Sequence, residues 1–145
     1  METQSVTITI PTDLLSKIRE RGNDTDATVR DALEAFFQLM DVTAQTMKGR
    51  FSLKEAALLC DIFRSTQMDI ERLADWPDIF AWDVEDTEKY EKLGERVGVN
   101  AEALAEKLGA LQPIQTLWLH DRIRIFWNRA ASDEENRELL AELFG

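Results

Sequence analysis

Few residues in this chain are of the kinds that carry chemistry alone. One cysteine, Cys60, and one histidine, His120, stand among 145 residues, which excludes an internal disulfide framework and a Cys/His zinc site within one chain. Apolar runs reach only a few residues, well short of the roughly 20 that a membrane helix needs. The opening Met-Glu-Thr-Gln lacks the pattern of a signal peptide, so cytoplasm is the expected compartment. No P-loop, dinucleotide glycine fingerprint or Ser/His/Asp arrangement occurs, and neither an enzyme nor a bound cofactor is expected. Positive charge is scarce as well: 17 Lys and Arg face 28 Asp and Glu, a net charge of −11.

That deficit bears on partners. A nucleic-acid-binding surface normally gathers Lys and Arg, because counterion release supplies much of its affinity. Residues 1–50 hold six basic and eight acidic side chains and residues 51–145 hold eleven and twenty, so the acidity is concentrated in the second part. A basic protein suits such a chain as a partner.

Strand signal is nearly missing too. Ser5-Val6-Thr7-Ile8-Thr9-Ile10, closed by Pro11, alternates apolar and hydroxyl side chains with the period of a half-buried strand. A strand must pair its main-chain groups, and with no second strand in the chain the mate is the same segment of another copy. Arg122-Ile123-Arg124-Ile125-Phe126 also alternates and offers an intrachain mate, but it sits in the unbroken run Pro113 to Arg129, which suits a helix with Pro in its first turn. The expected ribbon has Val6, Ile8 and Ile10 inward and Ser5, Thr7 and Thr9 outward.

Helical signals follow in order. Thr12 is a plausible cap for a short helix with Leu14, Leu15 and Ile18 on one face, stopped at Gly22. Asp24 or Thr25 caps a second helix whose buried stripe is Val29, Leu33, Phe36 and Met40, widened by Ala32 and Phe37, with Arg30, Asp31 and Glu34 opposite. The stretch Asp41 to Arg50 loses periodicity and reads as a helix end and connector. Ser52 and Glu55 form a capping box ahead of Leu53, Ala56, Leu59, Cys60 and Phe63. Breaks are predicted near residues 65–67 and at Trp76-Pro77, since the residue before proline is pushed from helical geometry. Phe80, Trp82, Val84, Tyr90, Leu93 and Val97 are the predicted inward residues of the next segment, and Asp83, Glu85, Asp86 and Glu88 a solvated face. Asn100 caps a helix carrying Leu104, Leu108 and Leu111, with Val99 and Leu104 as a hydrophobic staple. The Pro113 helix is apolar on two sides, with Leu119, Ile123, Phe126 and Trp127 facing one way and Ile114, Trp118 and Ile125 the other, so it belongs between neighbours. Ser132 and Glu135 open a last helix with Leu139, Leu140, Leu143 and Phe144.

The order strand, short helix, glycine turn and longer helix, together with Thr-Ile-Thr-Ile, Leu14-Leu15, Gly22, Val29-Arg30 and Ala32-Leu33 at the usual offsets, resembles the ribbon-helix-helix superfamily of bacterial and phage repressors and antitoxins. The resemblance covers about residues 5–40. It implies a homodimer around an intersubunit ribbon, with dimer-core residues Val6, Ile8, Ile10, Val29, Leu33 and Phe36. It also implies base contacts from Ser5, Thr7 and Thr9 in a DNA major groove and phosphate contacts from Asp24, Thr25 and Arg30 at the start of the second helix. Asp24 and Asp26, however, put carboxylates where a phosphate would sit.

The sequence therefore predicts a mainly α protein: residues 1–47 as a dimerising, DNA-binding module with one strand and two helices, and residues 51–145 as an acidic helical domain. The expected role is a homodimeric transcriptional repressor. The alternative is an antitoxin or adaptor whose first module only dimerises and whose acidic domain binds a basic protein.

Overall fold

The computed structural model describes residues 2–64, 68–86 and 97–145. Seven α-helices and one 3-10 helix occur among them: α1 (Thr12–Glu20), α2 (Thr25–Met47), α3 (Leu53–Ile62), the 3-10 helix (Ile70–Asp75), α4 (Trp76–Asp86), α5 (Ala101–Gly109), α6 (Pro113–Arg129) and α7 (Asp133–Phe144). The chain is mainly α, as its periodicities predict. Two compact units divide it, Met1–Asp41 and Val42–Gly145.

The described residues contain no strand, which corrects the ribbon-helix-helix expectation. Residues 2–10 form no regular element, and among the described residues no backbone hydrogen bond engages them. The reason is a missing partner. Alternation specifies which side chains share a face, but a strand exists only through a ladder to a second one. The one intrachain candidate, residues 122–126, lies in the middle of α6.

Local capping fixes most helix starts. Ser52 Oγ accepts the Glu55 N–H at 3.1 Å while Glu55 Oε1 accepts the Ser52 N–H at 2.9 Å, the reciprocal box predicted for α3. Asn100 Oδ1 accepts the Ala103 N–H at 3.0 Å, and Ser132 Oγ accepts the Glu135 N–H at 3.4 Å. Thr12 does not cap. Pro11 occupies that position without a side-chain bond, and Thr12 is the first helical residue. Trp76 keeps helical angles (φ −55°, ψ −40°) despite Pro77, because the proline falls in the first turn of α4 where its missing N–H is not needed.

Helix α2 outruns its expected end. Met40, Thr43, Ala44 and Met47 are buried at i, i+3, i+4 and i+7, so the periodicity continues to Met47 through residues too small or polar to announce it. The chain then turns at Gly49, whose φ of +83° suits glycine and whose N–H donates to Phe144 O at 2.8 Å.

The second unit owns a complete core. α6 packs against α7, α3, α4 and the 3-10 helix, and α4 lies along α5, which gives α6 the covering on two sides that its sequence demanded. Trp118, Leu119, Ile123 and Phe126 of α6 are buried, with Leu104 and Leu108 of α5 and Leu143 and Phe144 of α7. Edge-on ring pairs knit this core: Phe63 with Phe80 at 4.4 Å and Trp118 with Phe144 at 6.0 Å between centroids. Trp127 Nε1 donates to Cys60 O at 2.8 Å, and the Arg64 guanidinium lies 4.0 Å over the Trp127 ring.

Not every inward prediction holds. Phe80 and Val84 are fully buried, whereas Trp82 is 63% exposed, and Val97 and Leu53 are exposed as well. One helical residue turns the chain by about 100°, so the buried series Trp76, Phe80 and Val84 fixes one face and sends Trp82 to the other. Glu88, Tyr90, Leu93 and the break near residues 65–67 lie outside the described residues.

Candidate interaction surface of the first unit

The first unit is built from residues 2–10, α1 and the greater part of α2. Among its described residues only Met40 is buried. A piece of about 40 residues cannot enclose a core without a staple or a partner, and this one has neither disulfide nor, among the described residues, any cluster of three metal-binding side chains. Its apolar side chains stand in the open instead. Val6 is 80% exposed, Ile8 61%, Leu33 53% and Phe37 60%.

They are not scattered. A groove of about 550 Å³ runs between the extended segment, α1 and α2, and Ile8, Ile10, Leu14, Ile18, Val29 and Leu33 line it. Lys17 and Arg21 reach the same groove; an Arg21 amino group donates to Lys17 O at 2.6 Å, which holds that side chain along the end of α1. Phe36 and Phe37 meet edge to face at 5.5 Å on α2.

A second hollow of about 810 Å³ gathers much of the DNA set named from sequence. Ser5 and Thr7 line it with Thr25, Asp26 and Arg30. Thr9 is not among its residues; it lines the apolar groove. Asp24 lines neither. Its Oδ1 accepts the Ala27 N–H at 3.1 Å, so its own carboxylate takes the place at the start of α2 that an external anion would use. Of the dimer-core set, Ile8, Ile10, Val29 and Leu33 border both hollows and Val6 borders the second. Phe36 borders neither and is half-buried.

Electrostatics of this unit are unfavourable for an anion. Four basic and eight acidic side chains give it a net charge of −4. Arg30 is exposed, and among the described residues no ion pair occupies it.

Among the described residues of the second unit, no group of three His, Cys, Asp or Glu side chains could hold a metal ion. His120 is half-buried with its ring 5.3 Å from that of Trp76; burial, helped by Arg124, holds its pKa below the ordinary value. Desolvation raises Asp83 and Asp121, and it pushes the Cys60 thiol up to about 12. Burial is the largest cause in each case, and His120 and Asp121, neighbours on α6, also feel each other's charge.

No family model, curated protein or solved structure matches the chain. What sequence reasoning missed was the exposure of Trp82 and Phe37. The signal for Phe37 was present: it follows Leu33 by four residues, on the same uncovered face.

Proposed function

We propose that this protein works as a homodimer that regulates transcription by binding DNA. Two copies meet along the uncovered apolar face of the first unit, so that each fills the other's groove and the main chains of the two extended segments pair. Ser5 and Thr7 then face outward toward base edges, with Thr9 beside them, while Arg30 and the start of α2 lie near the phosphates. One observation supports this reading: a unit whose apolar side chains line an open groove, next to residues 2–10, which no backbone hydrogen bond engages among the described residues.

Binding would occlude a promoter, and it would depend steeply on salt, because the only attraction a chain of this charge can offer is local. The test is a fluorescence-anisotropy titration against the DNA flanking its own gene at low ionic strength. Thr7→Ala should relax sequence preference and Arg30→Ala should weaken all DNA alike. Asp24→Ser keeps an oxygen cap on α2 and removes a negative charge, so it should tighten binding. Absence of any salt-sensitive binding by the unaltered chain ends the DNA reading.

The occupied start of α2 and the net charge of −4 on the first unit favour a second reading. In it the first unit only dimerises, and the acidic helical unit is the part of an antitoxin or adaptor that grips a basic protein.

A further inference from the structure

The second unit leaves one large aromatic side chain mostly in solvent. Trp82 is 63% exposed in the middle of α4, although Trp76, Phe80 and Val84 of that helix are fully buried. Tryptophan is among the costliest residues to leave in water and among the commonest anchors of interfaces. The charged residues of α4 are all acidic. Asp78 and Glu85, four residues before Trp82 and three after, fall on the same side of the helix, and both are exposed. Among the described residues no ion pair occupies either. The unit as a whole holds thirteen basic and twenty acidic side chains, a net charge of −7.

We propose that this face of α4 is a docking site for a Lys- and Arg-rich segment of another protein, with Trp82 as its anchor. An incoming guanidinium or ammonium stacks on the indole while its neighbours pair with Asp78 and Glu85. The same chain already shows the first of these contacts internally, where Arg64 lies over Trp127. Charge complementarity selects the partner: an acidic or nucleic-acid partner meets like charge here, and a neutral one leaves the two carboxylates unmatched. This surface deepens the adaptor reading and rests on the second unit alone, so it stands or falls apart from DNA binding.

The experiment uses the full chain and a fluorescein-labelled helical peptide of about 16 residues, long enough to hold a helix, with Lys and Arg along one side and Leu along the other. Controls are the same peptide with every Lys and Arg replaced by Gln, and a double-stranded DNA of random sequence. The expected result is saturable binding of the basic peptide that weakens between about 50 and 300 mM salt. Trp82→Ala should weaken it by about tenfold or more, Trp82→Phe by less, and Asp78→Asn with Glu85→Gln should remove most of the salt dependence. Because the three side chains lie outside the core, circular dichroism of the variants should match the unaltered chain. The proposal is overturned by no saturable binding, by equal affinity for Trp82→Ala, or by equal binding of the Gln peptide. Preference for the DNA over the peptide on this surface, sensitive to Trp82, would overturn it as well.

Discussion

Leu33 offers the sharpest test of the proposed dimer. It borders both hollows of the first unit and keeps 53% of its surface exposed in the single chain. Burying a whole leucine side chain contributes about 1.5–3 kcal/mol, so covering the exposed half is worth about 1 kcal/mol per copy. A symmetric interface uses the residue twice, which makes about 2 kcal/mol per dimer. At about 1.4 kcal/mol per decade, Leu33→Ala should raise the dimer Kd by roughly thirtyfold. Leu33→Asp adds two uncompensated carboxylates to the contact and should leave the chain monomeric throughout the micromolar range. Glu34→Ala, one residue along and on the charged side of α2, should change nothing. Sedimentation velocity over a concentration series reads all three. If the unaltered chain sediments as a monomer at tens of micromolar, or if Leu33→Asp associates as tightly as the parent, the groove is not a subunit contact and the argument fails.

Three predictions concern the second unit. Gly49→Ala forces a side chain into a left-handed backbone (φ +83°) and should destabilise by about 1–2 kcal/mol, read as a lower thermal midpoint. Burial pushes the Glu55 carboxyl up, but Lys107, 2.8 Å away, and Ser52 hold it below its ordinary value of 4.5. The depressed carboxylate therefore stabilises the fold above pH 4.5 and loses that contribution as pH falls through its folded value. Lys107 is half exposed, so Lys107→Met should cost no more than about 1 kcal/mol at neutral pH and flatten the acid limb of a stability profile. Cys60 is buried with its thiol pushed up to about 12; it should resist a thiol reagent at pH 8 until denaturant is added, and rapid labelling of the native chain would contradict that packing.

What could be read from sequence was whatever is decided locally. The Ser52 and Glu55 box, the Asn100 cap and the stripe of Leu104, Leu108 and Leu111 each depend on residues within one or two turns, and each is found in place. The misreadings arise where the deciding contact is distant or absent. Residues 5–10 carry strand alternation but lack a mate, and alternation cannot report the mate's presence. Thr43 and Ala44 hide the continuation of α2, because hydroxyl and methyl groups bury well without marking a stripe. Trp82 is predicted inward together with Phe80 and Val84, and the buried series Trp76, Phe80 and Val84 overrules it through the helical period. The candidate surface itself was partly legible. Ser5, Thr7, Thr25 and Arg30 do share one hollow, while Thr9 and Asp24 are set elsewhere by the groove and by a cap.

The two units place opposite demands on a partner. The second buries large side chains from every α-helix that packs on α6, so a partner there adds contact to a structure that is already satisfied, and the unit should stay folded without it. The first keeps apolar residues in an open groove, and among the described residues no backbone hydrogen bond engages residues 2–10, so a partner there supplies what the unit itself lacks. Binding of that kind is linked to folding: raising protein concentration should stabilise the first unit and leave the second untouched. Hydrogen exchange at two protein concentrations separates these cases. Protection in α1 and in residues 5–10 should rise with concentration, while protection in α5 and α6 should not. Equal protection at both concentrations, in a chain shown to be folded, would mean that the groove is stable without a second copy and would remove the physical reason for the dimer.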